Sequence, residues 1–232
     1  MDNGNFDIVV IGSGVIGHSI AFRLKQDDPQ LKIAVLGDSV NSLQASRAAA
    51  GMLAPFCECD QADTFFSFCR ESLDKFPKFL AELFSVSGFP VHFSLAGSLM
   101  PSSNFLENWE EQKTFFAREN IPHELWSTEK VRQKAPYLSA DCGEVIWVGE
   151  GQVNNRQMHD SLIQASRKLE IHVLEANVSG FIRKDSIIAS AVTDSGNISG
   201  EKFVLASGSW SSQLARVLEV SIPLKPIKGQ MC

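Results

Sequence analysis

The chain of 232 residues carries no excess of positive charge: 21 Lys and Arg stand against 27 Asp and Glu, for a formal net charge of −6. The basic residues are scattered, so the basic stripe of a nucleic-acid binder is missing. No apolar run approaches the roughly 18 residues of a spanning helix, which argues against a membrane role. Met1–Asn5 has neither a basic region nor a signal-peptide pattern, and a cytoplasmic protein is expected. Cysteine is sparse and irregular, at positions 57, 59, 69, 142 and 232. An odd, unevenly spaced set argues against a disulfide framework. Cys57-Glu58-Cys59 has no second pair at ligand spacing, so no metal site is expected and the thiols read as free. Internal repeats and low-complexity segments are also lacking. The remaining composition, 44% hydrophobic and 21% charged, is that of a globular chain forming one large domain or two small ones.

Against this background one segment stands out. Ile8-Val9-Val10-Ile11 is a β-branched run of the kind found in strands buried on both faces. It ends in Gly12-Ser13-Gly14-Val15-Ile16-Gly17, and apolar positions at helical spacing follow (Ile20, Ala21, Leu24). Strand, Gly-x-Gly-x-x-Gly and helix in this order make a dinucleotide-binding turn. Gly12 permits the turn, Gly14 lets the backbone approach a pyrophosphate, and Gly17 lets helix and strand pack closely. The phosphates would lie on the free N–H groups of the helix N-terminus. Lys32–Leu36 reads as the second strand of a βαβ unit. An acidic ribose ligand is expected about 20 residues after the glycines, but Gly37 stands there. Asp38 follows it, and either substitutes as that ligand or opens a turn.

Ala45–Leu53 is rich in small residues, which allow a backbone to lie against something large and flat, or a helix to pack tightly. A long helix is expected over 62–86, with Phe65, Phe66, Phe68, Leu73, Phe76, Phe79, Leu80 and Leu83 as its core stripe. From Pro90 to Val148 short strand candidates (91–93, 98–100, 144–148) flank helical stretches near 104–119 and 128–135, which suggests an inserted second module. Trp109, Trp126 and Trp147 within it read as packing residues. A helix over 156–168 and a strand over 171–174 follow. Segments 178–183, 186–192 and 198–200 suggest an antiparallel meander. Lys202–Ala206 then returns as a separate buried strand, before a second glycine turn, Ser207-Gly208-Ser209-Trp210, and a helix over 211–217.

Four blocks together resemble the D-amino-acid-oxidase/glycine-oxidase family of FAD enzymes, and within it the thiamine-pathway glycine oxidases. They are the Gly12–Gly17 turn, Ser46-Arg47-Ala48-Ala49-Ala50-Gly51-Met52-Leu53-Ala54-Pro55, Gly151-Gln152-Val153-Asn154-Asn155-Arg156, and the segment from Val204-Leu205-Ala206-Ser207-Gly208-Ser209-Trp210-Ser211 to Pro226-Ile227-Lys228-Gly229-Gln230-Met231. The third differs from the family's Gly-x-Val-Asp-Pro-Arg at Asn154 and Asn155. The resemblance implies an α/β fold: a Rossmann-like FAD-binding domain of the glutathione-reductase type (1–88 and 150–221) with an inserted α+β substrate domain (89–149 and 222–232). It also implies that the chain lacks the family's C-terminal part, including the Arg that pairs with the substrate carboxylate.

The same resemblance assigns cofactor roles. Gly12, Gly14, Val15, Ile16 and Gly17 would hold the FAD pyrophosphate, with Ser46 and Arg47 along the phosphate side. Ala49, Ala50, Gly51 and Met52 would run beside the isoalloxazine ring, Val178 would contact adenine through its backbone, and Gly208 and Trp210 would lie near the cofactor. Family members usually carry Glu where Gly37 stands, which puts weight on Asp38. The implied reaction is oxidation of the C–N bond of a small amine or amino acid: hydride passes to flavin, the imine hydrolyses, and oxygen reoxidises the flavin to give hydrogen peroxide. An electron carrier in place of oxygen would make the enzyme a dehydrogenase. Such chemistry needs no side-chain nucleophile, and no catalytic residue is assigned; Met52 is a candidate for lining the site floor, or else a core residue. The alternative is a non-catalytic FAD- or nucleotide-binding fragment, or half of a split enzyme, working as a homo-oligomer or with a complementing chain.

Overall fold

Phe6–Ile11 forms β1, with Val9 and Val10 fully buried. The computed structural model describes residues 5–38, 44–104 and 108–229. The chain divides into two compact units, 1–50 with 82–91 and 155–232, and 51–81 with 92–154. These bounds differ from the sequence-based ranges: residues 51–81 and 150–154 group with the second unit, and 89–91 and 222–229 with the first.

In the first unit β1 is followed by α1 (Val15–Asp27) and β2 (Ile33–Leu36). β2 is buried at all four positions, as a strand flanked on both sides must be. The six-stranded sheet also takes in β9 (His172–Leu174), β10 (Val178–Lys184), β11 (Ile187–Thr193) and β12 (Gly196–Leu205), in the order β10-β11-β12-β1-β2-β9. β12, β1, β2 and β9 are parallel; β10 and β11 are antiparallel. The β10–β11 hairpin turns through Asp185 and Ser186, both at positive φ (50° and 71°), the signature of a two-residue loop matched to strand twist.

The expected meander and the separate returning strand are one element. β12 pairs with β11 over Gly196–Ser199 and runs on in parallel with β1 over Gly200–Leu205. Gly200 is therefore not a strand end. A Cβ there would lie 2.6 Å from Val9 Cγ2, so the glycine serves close strand approach. Apolar residues cover the sheet on both faces. Phe6, Val9 and Ile11 pack with Leu36 and Leu214, and Ile8 and Val10 with Ala21 and Ile33. Besides α1, the unit holds α2 (Ala45–Ala48), α6 (Asn155–Lys168) and α7 (Ser211–Val217), and α1 packs on α6.

The second unit contains two three-stranded sheets. One orders β3 (Met52–Leu53), β8 (Gly151–Val153) and β4 (Phe93–Ser94); the other orders β5 (Ser98–Pro101), β7 (Val145–Val148) and β6 (His123–Trp126). Its core joins Phe66, Leu73, Phe115, Phe116 and Ile146, with α4 (Trp109–Arg118) and α5 (Thr128–Lys134) beside the strands. Trp109 is buried and donates to Glu144 at 2.7 Å, in keeping with a packing role. The long helix α3 (Thr64–Ser87) begins in this unit and ends in the first. Its stripe is only partly core: Phe66, Leu73, Leu80 and Leu83 are buried, whereas Phe65 and Phe68 are 62% and 69% exposed. Aromatic content alone does not distinguish the two sides of this helix. Among the described residues no helix is long and apolar enough to cross a membrane, and no cluster of His, Cys, Asp and Glu could hold a metal ion.

Candidate dinucleotide site

The four parallel strands end level with one another, Ile11 beside Leu205 and Leu36, and Leu36 beside Leu174. Loops leaving this carboxyl edge are where an open α/β sheet holds its ligand, most of all where the chain order reverses. Here the reversal lies at β1, whose sequence successor β2 is on one side and β12 on the other. Gly12–Gly14 and Ala206–Gly208 leave the edge at that point. Gly12 N–H donates to Leu36 O at 2.8 Å, and Ala206 N–H to Ile11 O at 2.8 Å, tying three strand ends together.

The three glycines differ in what they do. Gly12 has φ +119°, and a Cβ on it would meet Ala206 O at 2.2 Å. A Cβ on Gly17 would meet Gly12 O at 1.8 Å. Both are required by the backbone around them. Gly14 has an ordinary extended conformation (φ −76°, ψ −177°), and the one neighbour its Cβ would approach is Ser46 Oγ at 3.1 Å. The backbone at 14 therefore does not demand glycine; its absent side chain leaves room, bordered by Ser46 Oγ, before the first turn of α1. That turn carries no acidic residue, so its free N–H groups and partial positive charge are available to an anion. Gly14 is also the N-cap and has no side chain to cap with; Ser46 Oγ accepts from Val15 N–H at 3.1 Å and does so in its place. These features fit a bound pyrophosphate.

The 46–47 segment is held from behind by α6. Asn155 Nδ2 donates to Ser46 O at 2.6 Å, and Arg156 Nε to Arg47 O at 3.2 Å. Arg47 pairs with Asp160 at 2.6 Å and also points Nη1 at His159 Nδ1, 3.4 Å away. His159 Nε2 is 2.8 Å from the Ser13 carbonyl. His18, on α1, stacks edge-on to His159 with centroids 5.6 Å apart and shares a 3.0 Å bond with Ser166 Oγ. His18, His159 and Asp160 were not singled out in the sequence, and Asn155 only as a departure from the family's third block. Nothing in a linear pattern pairs His18 with a residue 141 positions on, although the nearness of the second and third blocks is now explained by the Asn155 and Arg156 clamps.

Both histidines are fully buried. Burial, and then the neighbouring His159, pushes His18 down to about 4. Burial likewise lowers His159, with Arg47 adding to the fall, against the Ser13 bond and Asp160. The folded chain therefore keeps His18 neutral where the unfolded chain, at about 6.5, would take up a proton. Stability is full above the unfolded value and falls as pH drops from about 6.5 towards about 4, by roughly 3 kcal/mol for His18. Urea denaturation at pH 7, 6 and 5 is expected to trace this decline, and His18→Gln to flatten it; a wild-type slope unchanged by that substitution would count against the assignment.

The other expected site residues are placed as follows. Val15 caps onto Ser46, and Ile16 is 62% exposed on the first turn of α1. Gly37 has φ +147°, and a Cβ there would lie 2.8 Å from Ser13 Oγ, so the strand end packs against the glycine turn and excludes a side chain in this backbone. Asp38 follows, and its carbonyl accepts from Gln44 Nε2, which also reaches Ser13 Oγ; residues 39–43 lie outside the described residues. Ala49 and Ala50 are exposed beyond α2. Gly51 and Met52 belong to the second unit, where Met52 pairs with Gln152 and is 56% exposed, which rules out core packing for its side chain. Val178 opens β10, half-buried against the sheet core. Gly208, at φ +56° and with open space around it, starts a short 3-10 turn that ends in Trp210, 56% exposed.

A glycine turn at the carboxyl edge of a parallel sheet, opening a helix whose N-cap residue has no side chain, defines a nucleotide-binding α/β protein. The chain belongs to the DAO family of FAD-dependent oxidoreductases, whose model matches residues 7–232; FAD is the family's cofactor. It is 29% identical over 234 residues to the bifunctional protein ThiO/ThiG of Synechocystis, covering 97% of this chain and 32% of that protein. It is 26% identical over 228 residues to the glycine oxidase of Bacillus subtilis, covering 97% of this chain and 60% of that enzyme. The crystal structure of glycine oxidase from Geobacillus kaustophilus superposes with a TM-score of 0.85 at 22% identity, over 94% of this chain and 59% of that one, a likeness of fold. The chain thus spans 32% of the bifunctional relative and about 60% of the glycine oxidases.

Proposed function

We propose that this chain binds FAD at the Gly12–Gly17 turn and serves the oxidation of a small amine or amino acid at its C–N bond, as in glycine oxidases. The observation that supports this most is Gly14, at the N-terminus of α1: its backbone is ordinary, and the close neighbour a Cβ would meet is the Ser46 hydroxyl, at 3.1 Å, rather than backbone. Bound FAD would supply the electron acceptor. The chain's own part is to bind and orient. The first-turn N–H groups of α1 would take the pyrophosphate, Ser46 would hold Val15 in place, and Arg47, fixed by Asp160, would stiffen the segment beside it. The exposed Gly208–Trp210 turn, at the same sheet edge, is proposed as a second cofactor contact. Val178 is proposed to meet adenine through its backbone, Asp38 to take the ribose, and Ala49, Ala50, Gly51 and Met52 to approach the ring.

The test is direct. The purified chain is mixed with FAD, gel-filtered, and its visible spectrum recorded. A retained flavin spectrum is the expected result, followed by a screen of glycine, sarcosine and D-amino acids for peroxide. A folded protein that emerges colourless would overturn the cofactor reading, and flavin retention without oxidation of any amine would overturn the activity.

A further inference from the structure

We propose that His159 is a positioning residue that fixes the Ser13–Gly14 peptide of the dinucleotide turn, an inference whose functional consequence rests on the FAD-binding reading above. The His159 ring is fully buried, with Nε2 2.8 Å from the Ser13 carbonyl. On its other side Nδ1 faces Arg47 Nη1 at 3.4 Å. A guanidinium can only donate, so Nδ1 accepts and the proton sits on Nε2, where it is given to Ser13 O. Asp160 holds Arg47 at 2.6 Å and so holds that tautomer. The relay runs from Asp160 on α6 through Arg47 on α2 and back to His159 on α6 before it reaches the turn.

The peptide unit is planar and trans, so its carbonyl and N–H point to opposite sides. With Ser13 O drawn to His159, Gly14 N–H is directed away from the protein side of the turn. Among the described residues no acceptor pairs with that N–H. The bond thus sets the direction of a donor that the turn leaves to a ligand. The charged and titratable groups facing His159 are His18 from α1, Arg47 from α2 and Asp160 from its own helix.

Two variants test this. His159→Phe keeps a ring of similar size and removes the donor; His159→Gln keeps an N–H donor without the ring. His159→Phe is expected to weaken FAD binding, followed by flavin fluorescence, by about tenfold to a hundredfold, while the thermal midpoint moves little. His159→Gln is expected to restore most of the affinity. Hydrogen exchange of the peptide covering residues 12–17 should quicken in the Phe variant without FAD present. Equal FAD affinity in wild type and His159→Phe would overturn the proposal, as would loss of binding in step with loss of the fold in both variants. If the wild-type chain retained no FAD, the cofactor reading would fall; the exchange measurement would then decide this one alone, and unchanged exchange in His159→Phe would overturn it.

Discussion

Gly12→Ala is expected to cost the chain about 4 kcal/mol of stability, a large part of what a folded domain has. Two penalties add at this position. At φ +119° an L side chain is strained whatever the space, and the new methyl would lie 2.2 Å from Ala206 O and 2.5 Å from Ala206 C. Neither neighbour is a side chain that can swing away. Relief requires the end of β1 to part from the end of β12, which breaks the Ala206 N–H to Ile11 O bond and loosens the buried strands behind it. Gly17→Ala should behave similarly, since its methyl would sit 1.8 Å from Gly12 O and could be accepted only if α1 moved off the turn. Urea denaturation of the two variants checks both. An unchanged midpoint for Gly12→Ala would show that the turn does not have this backbone.

Where a segment is buried on both faces, its chemistry is uniform enough to be read directly. β1 and β2 were legible for that reason; α1 was legible from its apolar positions at helical spacing, and the two glycine turns from their motifs. β6 was not, because His123-Glu124-Leu125-Trp126 is an exposed edge strand with no alternation to betray it. β12 was cut in two because Gly200 reads as a break. Its reason is Val9, a neighbour brought there by the sheet rather than by the sequence. The site divides in the same way. The residues that would face a ligand lie in short motifs; the residues that would hold those motifs, His18, His159 and Asp160, lie on helices far along the chain and meet only when α1 and α6 pack.

Gly14→Val is expected to do the opposite of Gly12→Ala: the chain folds and FAD affinity falls by about a hundredfold or more, since filling the phosphate's place removes its contacts with the helix N-terminus. The fold tolerates the change because φ −76° and ψ −177° suit a β-branched residue, and because the one close neighbour, Ser46 Oγ at 3.1 Å, needs to give by only a few tenths of an ångström. The cost to stability is then about 1 kcal/mol, mostly the poorer N-cap that Val makes. The isopropyl group instead occupies the space in front of α1's first turn, and no rotamer of Val removes its bulk from Cβ. Flavin fluorescence titration, run beside a thermal melt, separates the two effects. Full FAD retention in a stable Gly14→Val protein would mean that the pyrophosphate does not lie on this turn. Loss of both flavin and fold would mean that Gly14, like its two neighbours in the motif, is held by packing rather than kept open for a ligand.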